Sequence, residues 1–479
     1  MPLRCLGGNF CSCTSFRCDG AGFRVGASRG EGVIDTEHVV VDSESAVSTA
    51  PRLAEGIELI GEYQGSGFVQ APYIVRRADG QVIQLPRLLY LLAASLDGKR
   101  DHERLASVLS AEFGKVVQAD QVAFLLDQRL RPVGIVADDA LPGTDRPASK
   151  PVKSDPLLAL KFRIGVVPEG MVWRIAGLFA PMFWPPVVVA ALAAFVGLDV
   201  LIVAQGGLGQ IVPSAVALVY QPALTLLVIG LLLASAAFHE CGHVTACRYG
   251  GAKPGVMGFG LYLVWPALYS TVTDSYRLGR VGRLRTDLGG VYFNAVFITG
   301  MSVAYLDTGA PWLLVAIVAL HIETATQFLP MIRLDGYYIL SDLIGVPDLF
   351  SRMGPVLASI IPGRPTHPRV LELKPWARRT ITLWVLVVVP YLGYWLIGFL
   401  LIIPKVLPVV WDRLVYLCHA VAAKAAEGQI AEMTLGIVQI ILLLIPWVGS
   451  LLMLGMMVRR PVRWLLTRLP VARLRAGRA

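Results

Sequence analysis

From about residue 181 onward the chain is a series of apolar runs, each about long enough to cross a bilayer, and this restricts its fold more than any other feature. A helix needs about 20 mainly apolar residues to span the hydrocarbon core. Inside that core only helices and closed barrels satisfy their own backbone groups. Six stretches qualify as spans: residues 181–204, 222–246, 288–306, 311–334, 381–403 and 434–457. Residues 405–420 read as a candidate interfacial piece. Only 16% of the 479 residues are charged, whereas a soluble domain is normally about a quarter charged. The shortage is local, because most acidic residues precede residue 171. The expected fold class is a polytopic α-helical membrane protein of about six spans, with a small α+β, winged-helix-like domain at its N-terminus.

Basic residues gather at the cytoplasmic ends of membrane helices. With the N-terminus inside, 25 lysines and arginines fall in the inner segments 150–174, 248–285, 333–379 and 459–478, against Lys405, Arg413 and Lys424 outside. That bias predicts a multi-pass protein of the cell membrane with both termini cytoplasmic. It also accounts for the net charge of +9, so the bilayer and not nucleic acid is the expected partner.

The first 170 residues divide by composition. Residues 1–52 are rich in Gly, Ser, Arg and Cys, lack apolar periodicity, and are expected to be disordered. They hold four of the seven cysteines (Cys5, Cys11, Cys13 and Cys18), at a spacing that fits no structural zinc pattern. They also lack the apolar core of a signal peptide. Residues 53–140 should fold: Tyr73–Arg77 and Val82–Leu85 flank an Asp79-Gly80 turn, which predicts a hairpin. Helical periodicity follows over 85–96, 102–113 and 119–128. Residues 141–172 read as a linker, 173–460 as the membrane domain, and 461–479 as a basic cytoplasmic tail. The hairpin-then-helices order, with Leu96-Asp97-Gly98-Lys99, resembles the PqqD-like domains, also called RiPP recognition elements. That resemblance implies capture of a leader peptide as an added strand; a winged helix used only for packing fits the same pattern.

The second span ends in His239-Glu240-Cys241-Gly242-His243. Residues i and i+4 share one helix face, so both imidazoles can reach one ion. Zinc suits such a pair and keeps a coordination position open for water in catalytic sites. Glu240 stands beside the ligands, where a carboxylate can take the water's proton. Two histidines and a glutamate in an apolar helix are expensive unless paired or ligating. A third ligand is needed. The second and fourth spans run in the same direction, which brings Asp335, after Leu329–Leu334, to the depth of His239 and His243. Gly336 directly after it permits a turn or a close backbone approach.

This HExxH and the later Leu334-Asp335-Gly336 resemble the site-2 protease family of intramembrane zinc metalloproteases. The stretch Leu334–Asp342 is similar to its branch of putative peptide zinc metalloproteases, found with peptide-maturation systems. The resemblance implies one zinc per chain held by His239, His243 and Asp335, with Glu240 as general base. The family also carries Gly-x-x-x-Asn between its motifs. Gly290-Val-Tyr-Phe-Asn294 matches it, making Gly290 and Asn294 candidates for holding substrate or the oxyanion; a small-residue helix contact with a buried amide is the competing reading. The family's Asn-Pro ahead of Asp-Gly is here Leu329-Pro330.

Two further segments bear on the site. Met257–Val264, broken by glycines, is expected to form a short hairpin or re-entrant strand offering an edge to an extended substrate. His321 and Glu323 lie inside the fourth span, roughly 20 Å from Asp335 on a continuous helix, too far to be ligands; they read as a mutually satisfied polar pair, with the lining of a water path as the alternative. The expected function is zinc-dependent cleavage of a membrane-associated or leader-bearing peptide. Regulated cleavage of a membrane-tethered regulator, or a peptide exporter component with structural zinc, are the alternatives.

Overall fold

A computed structural model describes residues 4–6, 10–12, 50–137, 161–262 and 265–468. The cysteines Cys13 and Cys18, most of the 141–172 linker and the end of the basic tail lie outside the described residues. Two compact units emerge.

The first unit comprises, among described residues, Arg4, 11–12, 50–61 and 72–137. Against the expectation of no regular structure before residue 53, two three-residue strands occur in that stretch, β1 (Arg4–Leu6) and β2 (Phe10–Ser12). Strand β4 (Tyr73–Arg76) lies between β3 (Glu58–Glu62) and β5 (Val82–Leu85). The hairpin forms as expected, with Tyr73 opposite Leu85 and Arg76 opposite Val82. Its turn is closed by Arg77 N–H donating to the Gln81 carbonyl and by Gly80 at φ +76°, the left-handed position that a glycine fills without strain. Helices α1 (Arg87–Ala94), α2 (His102–Phe113) and α3 (Ala119–Leu125) follow, with a wider turn carrying α3 on to Leu130. Asp101 caps α2 by accepting from Arg104 N–H, and Gly114 ends it in the left-handed conformation.

The second unit holds, among described residues, 5–6, 10, 62–71, 161–262 and 265–468. Residues 62–71, inside the expected 53–140 domain, thus pack with the helices. Part of the expected linker is also ordered structure here: β6 (Lys161–Val167) and α4 (Glu169–Phe179). Next come α5 (Pro185–Ala204), α6 (Gly207–Val219) and α7 (Pro222–Tyr249). A hairpin occurs here but is longer than the expected Met257–Val264: that stretch holds only β7 (Met257–Tyr262), whose partner β8 (Trp265–Ser270) lies beyond it, and β6 pairs on the far side of β7. The chain then runs through α8 (Arg280–Thr308), α9 (Pro311–Gln327), α10 (Asp335–Ile344), α11 (Met353–Ile360), α12 (Pro368–Leu371), α13 (Pro375–Ala426) and α14 (Ile430–Arg468). Proline begins α5, α7 and α9, where its missing N–H costs nothing.

Among the described residues, five helices are long and apolar enough to cross a membrane: α5, α7, α8, α13 and the Ile430–Ser450 part of α14. A sixth is reached only if α10 and the Leu349–Ile360 segment, bent by 65°, count as one broken span. The sequence-based spans are corrected in two places. The stretch 311–334 is not one helix, since α9 stops at Gln327 and the backbone turns before α10. Residues 405–420 are not a separate piece but the continuation of the 52-residue α13. At 1.5 Å per residue α13 is about 78 Å long, far more than a bilayer needs.

The turn between α9 and α10 is held by tertiary contacts. Trp384 Nε1 donates to the Pro330 carbonyl at 2.9 Å, and Arg333 N–H donates to the Tyr262 hydroxyl at 2.6 Å. The Arg333 guanidinium reaches Asp348 at 2.8 Å, both side chains being nearly inaccessible. A buried ion pair stripped of one partner leaves an unsatisfied charge costing about 3–5 kcal/mol. Asp348→Ala is therefore expected to lower the melting temperature in detergent sharply. Asp348→Asn, which tolerates the φ of +57° at this residue, should lose less than the alanine variant because it can still accept a hydrogen bond.

Candidate metal centre

Helix α7 delivers His239 and His243 one turn apart, both buried. Their Nε2 atoms lie 3.1 Å from each other. The His243 Nδ1 lies 2.8 Å from the Thr286 carbonyl of α8. A carbonyl can only accept, so the ring proton sits on Nδ1 and the Nε2 lone pair points inward. This outer hydrogen bond is what orients an imidazole toward a metal. Among the described residues His239 Nδ1 has no such partner.

Helix α10 supplies the third group from its first residue. The Asp335 Oδ2 lies 3.1 Å from His239 Nε2 and 3.4 Å from His243 Nε2. The turn that places it requires glycine at the next position, because a Cβ on Gly336 would stand 2.2 Å from the Phe328 carbonyl oxygen. The close approach expected at Gly336 is thus present, made by the backbone returning past the end of α9.

The fit to a metal can be tested on these distances. Ligands about 2.0–2.1 Å from a tetrahedral ion are separated by roughly 3.3–3.4 Å. The three atoms form a triangle with sides of 3.1, 3.1 and 3.4 Å, close to that spacing. Lone-pair-bearing atoms crowded in this way repel one another unless a metal ion or a shared proton lies between them. His239, Glu240 and His243 also bring ligating atoms within 4.8 Å of one another, so a metal ion could be held here. Of the two carboxylates, Asp335 has the ligand spacing. Glu240 lines the cavity beside it and is itself close enough to the two imidazoles to share an ion with them.

Helix α8 closes the back of the centre through missing side chains. A Cβ on Gly290 would stand 2.4 Å from His239 Nε2 and 2.5 Å from His243 Nε2. Gly242 and Gly289 make an equally close crossing, since a Cβ on Gly242 would meet the Gly289 carbonyl at 2.1 Å. Small residues let membrane helices approach in this way. Gly290 accordingly makes room for the imidazoles. Asn294, one turn further on, is fully buried, donates to Glu323 and Thr324 on α9, and leaves its Oδ1 without a hydrogen-bond partner.

The reading of His321 and Glu323 as a mutual pair is corrected. His321 Nε2 contacts the Asp199 carboxylate of α5 at 3.0 Å. Glu323 instead accepts from Asn294 and Gln327 and lines the same cavity as His239, Glu240, His243 and Asp335. The straight helix assumed between these residues and Asp335 is interrupted, since α9 ends at Gln327 and α10 begins at Asp335. The cavity has a volume of about 470 Å³, and β8 contributes Pro266–Ser270 to its wall. As the outer strand of its sheet, β8 has an edge not used by β7. Sequence reasoning missed Thr286, whose backbone role leaves no side-chain signature; Glu323's place in the cavity is compatible with the alternative reading of a residue lining a water path.

Comparison with protein-family models, curated proteins and solved structures found no match.

Proposed function

We propose that the protein is an intramembrane zinc endopeptidase that cleaves a membrane-associated or leader-bearing peptide near the cytoplasmic face. The observation carrying this reading is the triangle of His239, His243 and Asp335 atoms beside the Glu240 carboxylate, in a cavity walled by apolar helices and an edge strand. Two imidazoles and one carboxylate match the donor set of catalytic zinc, whose fourth position stays free. When bound, zinc would polarise the scissile carbonyl and acidify a water. Glu240 would accept that water's proton and return it to the departing amine. His243, held by Thr286, and Asp335, held by the turn at Gly336, keep their donor atoms aimed without rearrangement.

Substrate would lie extended along β8. A peptide bond inside a helix is shielded, so cleavage requires local unwinding, and pairing to a strand edge satisfies the backbone groups that unwinding frees. The N-terminal unit would recruit the peptide, in keeping with its hairpin-and-helices order. With α10 and the bent segment after it counted as one broken span, the charge bias of the sequence would favour both termini on the cytoplasmic side. Gly290 and Asn294, expected from the resemblance to hold substrate, are not among the residues lining the cavity, and Asn294 is fully buried, so neither is given a substrate contact.

Metal removal tests this directly. The purified full-length protein should contain one zinc ion per chain and shorten a co-expressed leader-bearing peptide, read by mass spectrometry. A chelator should abolish cleavage and added zinc restore it. Cleavage that persists in the metal-free protein would exclude the mechanism.

A further inference from the structure

We propose that Tyr63, Arg283 and Asp342 form a buried lock that positions the Asp335 carboxylate against the imidazoles, which makes the segment 62–71 a working part of the metal centre. This rests on the metal reading above. The Asp342 Oδ1 accepts from the Tyr63 hydroxyl at 2.9 Å and from Arg283 Nε at 3.0 Å. Arg283 is wholly inaccessible to solvent. Its remaining donors go to the Leu278 carbonyl at 2.9 Å and the Gln64 carbonyl at 3.1 Å, and its guanidinium stacks 4.2 Å from the Tyr63 ring centre. Burial, and next to it the Asp342 carboxylate, push the Tyr63 phenol well above its ordinary value. It therefore stays protonated and remains a donor.

The placement of these groups gives the cluster its function. Asp342 follows Asp335 by seven residues, two turns along one face of α10, about 10 Å away. Arg283 sits on α8, one turn before Thr286, which orients His243, and two turns before Gly290, which leaves room for both rings. The Arg283–Asp342 pair therefore ties the helix behind the imidazoles to the helix carrying the carboxylate. The segment after β3 clamps the far end of α10 as well. Gly67 N–H donates to the Gly345 carbonyl at 3.0 Å, and Gly345 ends α10 so close to the Gly65 carbonyl that a Cβ there would stand 2.1 Å from it. A metal site tolerates ligand displacements of only about 0.2 Å, so small sliding of α10 against α8 would be felt at Asp335.

Tyr63→Phe keeps the ring and its stacking on Arg283 but removes one hydrogen bond to Asp342. A control is Tyr305→Phe on the same α8, which removes a buried hydroxyl bonded to Gln210 at 3.3 Å, away from α10. Full-length wild type, both variants, Asp342→Glu and His239→Ala would be titrated with Co²⁺ and then Zn²⁺ in detergent, reading the ligand-field spectrum, affinity and melting temperature. Tyr63→Phe should bind metal 10–100-fold more weakly, with a changed cobalt spectrum. Asp342→Glu should also change the spectrum, and Tyr305→Phe should match wild type. Wild-type affinity and spectrum in Tyr63→Phe, or equal weakening in Tyr305→Phe, would overturn the lock. If wild type binds no more cobalt than His239→Ala, the metal reading itself fails, and the lock falls with it.

Discussion

Glu240→Gln should retain one zinc ion per chain while peptide cleavage falls by about 10²–10⁴-fold, the usual contribution of a general base. Glutamine preserves the shape and hydrogen-bonding reach of the side chain but cannot take a proton from water at neutral pH. The ligand atoms of His239, His243 and Asp335 are untouched by the change. The loss should fall on kcat, with KM nearly constant, because proton transfer occurs only in the transition state. Single-turnover cleavage with parallel metal analysis separates the two outcomes that matter. Undiminished cleavage would remove Glu240 from the mechanism. Loss of zinc along with activity would make Glu240 a ligand, as its proximity to the imidazoles would also permit.

The second large effect is expected at a residue with no side chain. Gly290→Ala places a methyl group 2.4–2.5 Å from His239 Nε2, His239 Cε1 and His243 Nε2, closer than carbon atoms come without displacement. Either α8 retreats or the rings rotate, and both break the ligand triangle. Overpacking of this kind costs about 1–3 kcal/mol, so a folded protein that no longer holds zinc is the expected product. Gly300→Ala, ten residues along the same helix, meets nothing within 4 Å and should behave as wild type. Metal content and melting temperature of the two variants decide the matter. Full zinc occupancy in Gly290→Ala would mean that α8 does not back the imidazoles as described.

Much of the architecture is legible in the sequence. Apolar run length located α5, α7, α8, α13 and α14, and the i, i+4 spacing of His239 and His243 put both imidazoles on one face. The Asp79-Gly80 turn and the helices after it were readable for the same reason: each rests on bonds between residues close in sequence. Errors came where distant contacts overrode the local pattern. Residues 311–334 read as one span because they are apolar throughout, yet Trp384, Tyr262 and Asp348 hold a break inside them. Composition alone does not register those partners. Likewise Lys161–Val167 looked like linker until β7 offered it an edge.

The residue types of the metal centre were thus written locally, in a His-Glu-x-x-His helix and an Asp-Gly step. Their convergence belongs to the tertiary structure. It depends on backbone approaches that only glycine allows, at Gly242, Gly289, Gly290 and Gly336, and on a strap of residues 62–71 that ties down the helix carrying Asp335. A glycine in a sequence announces freedom. Which neighbour it must admit is decided by how distant helices cross.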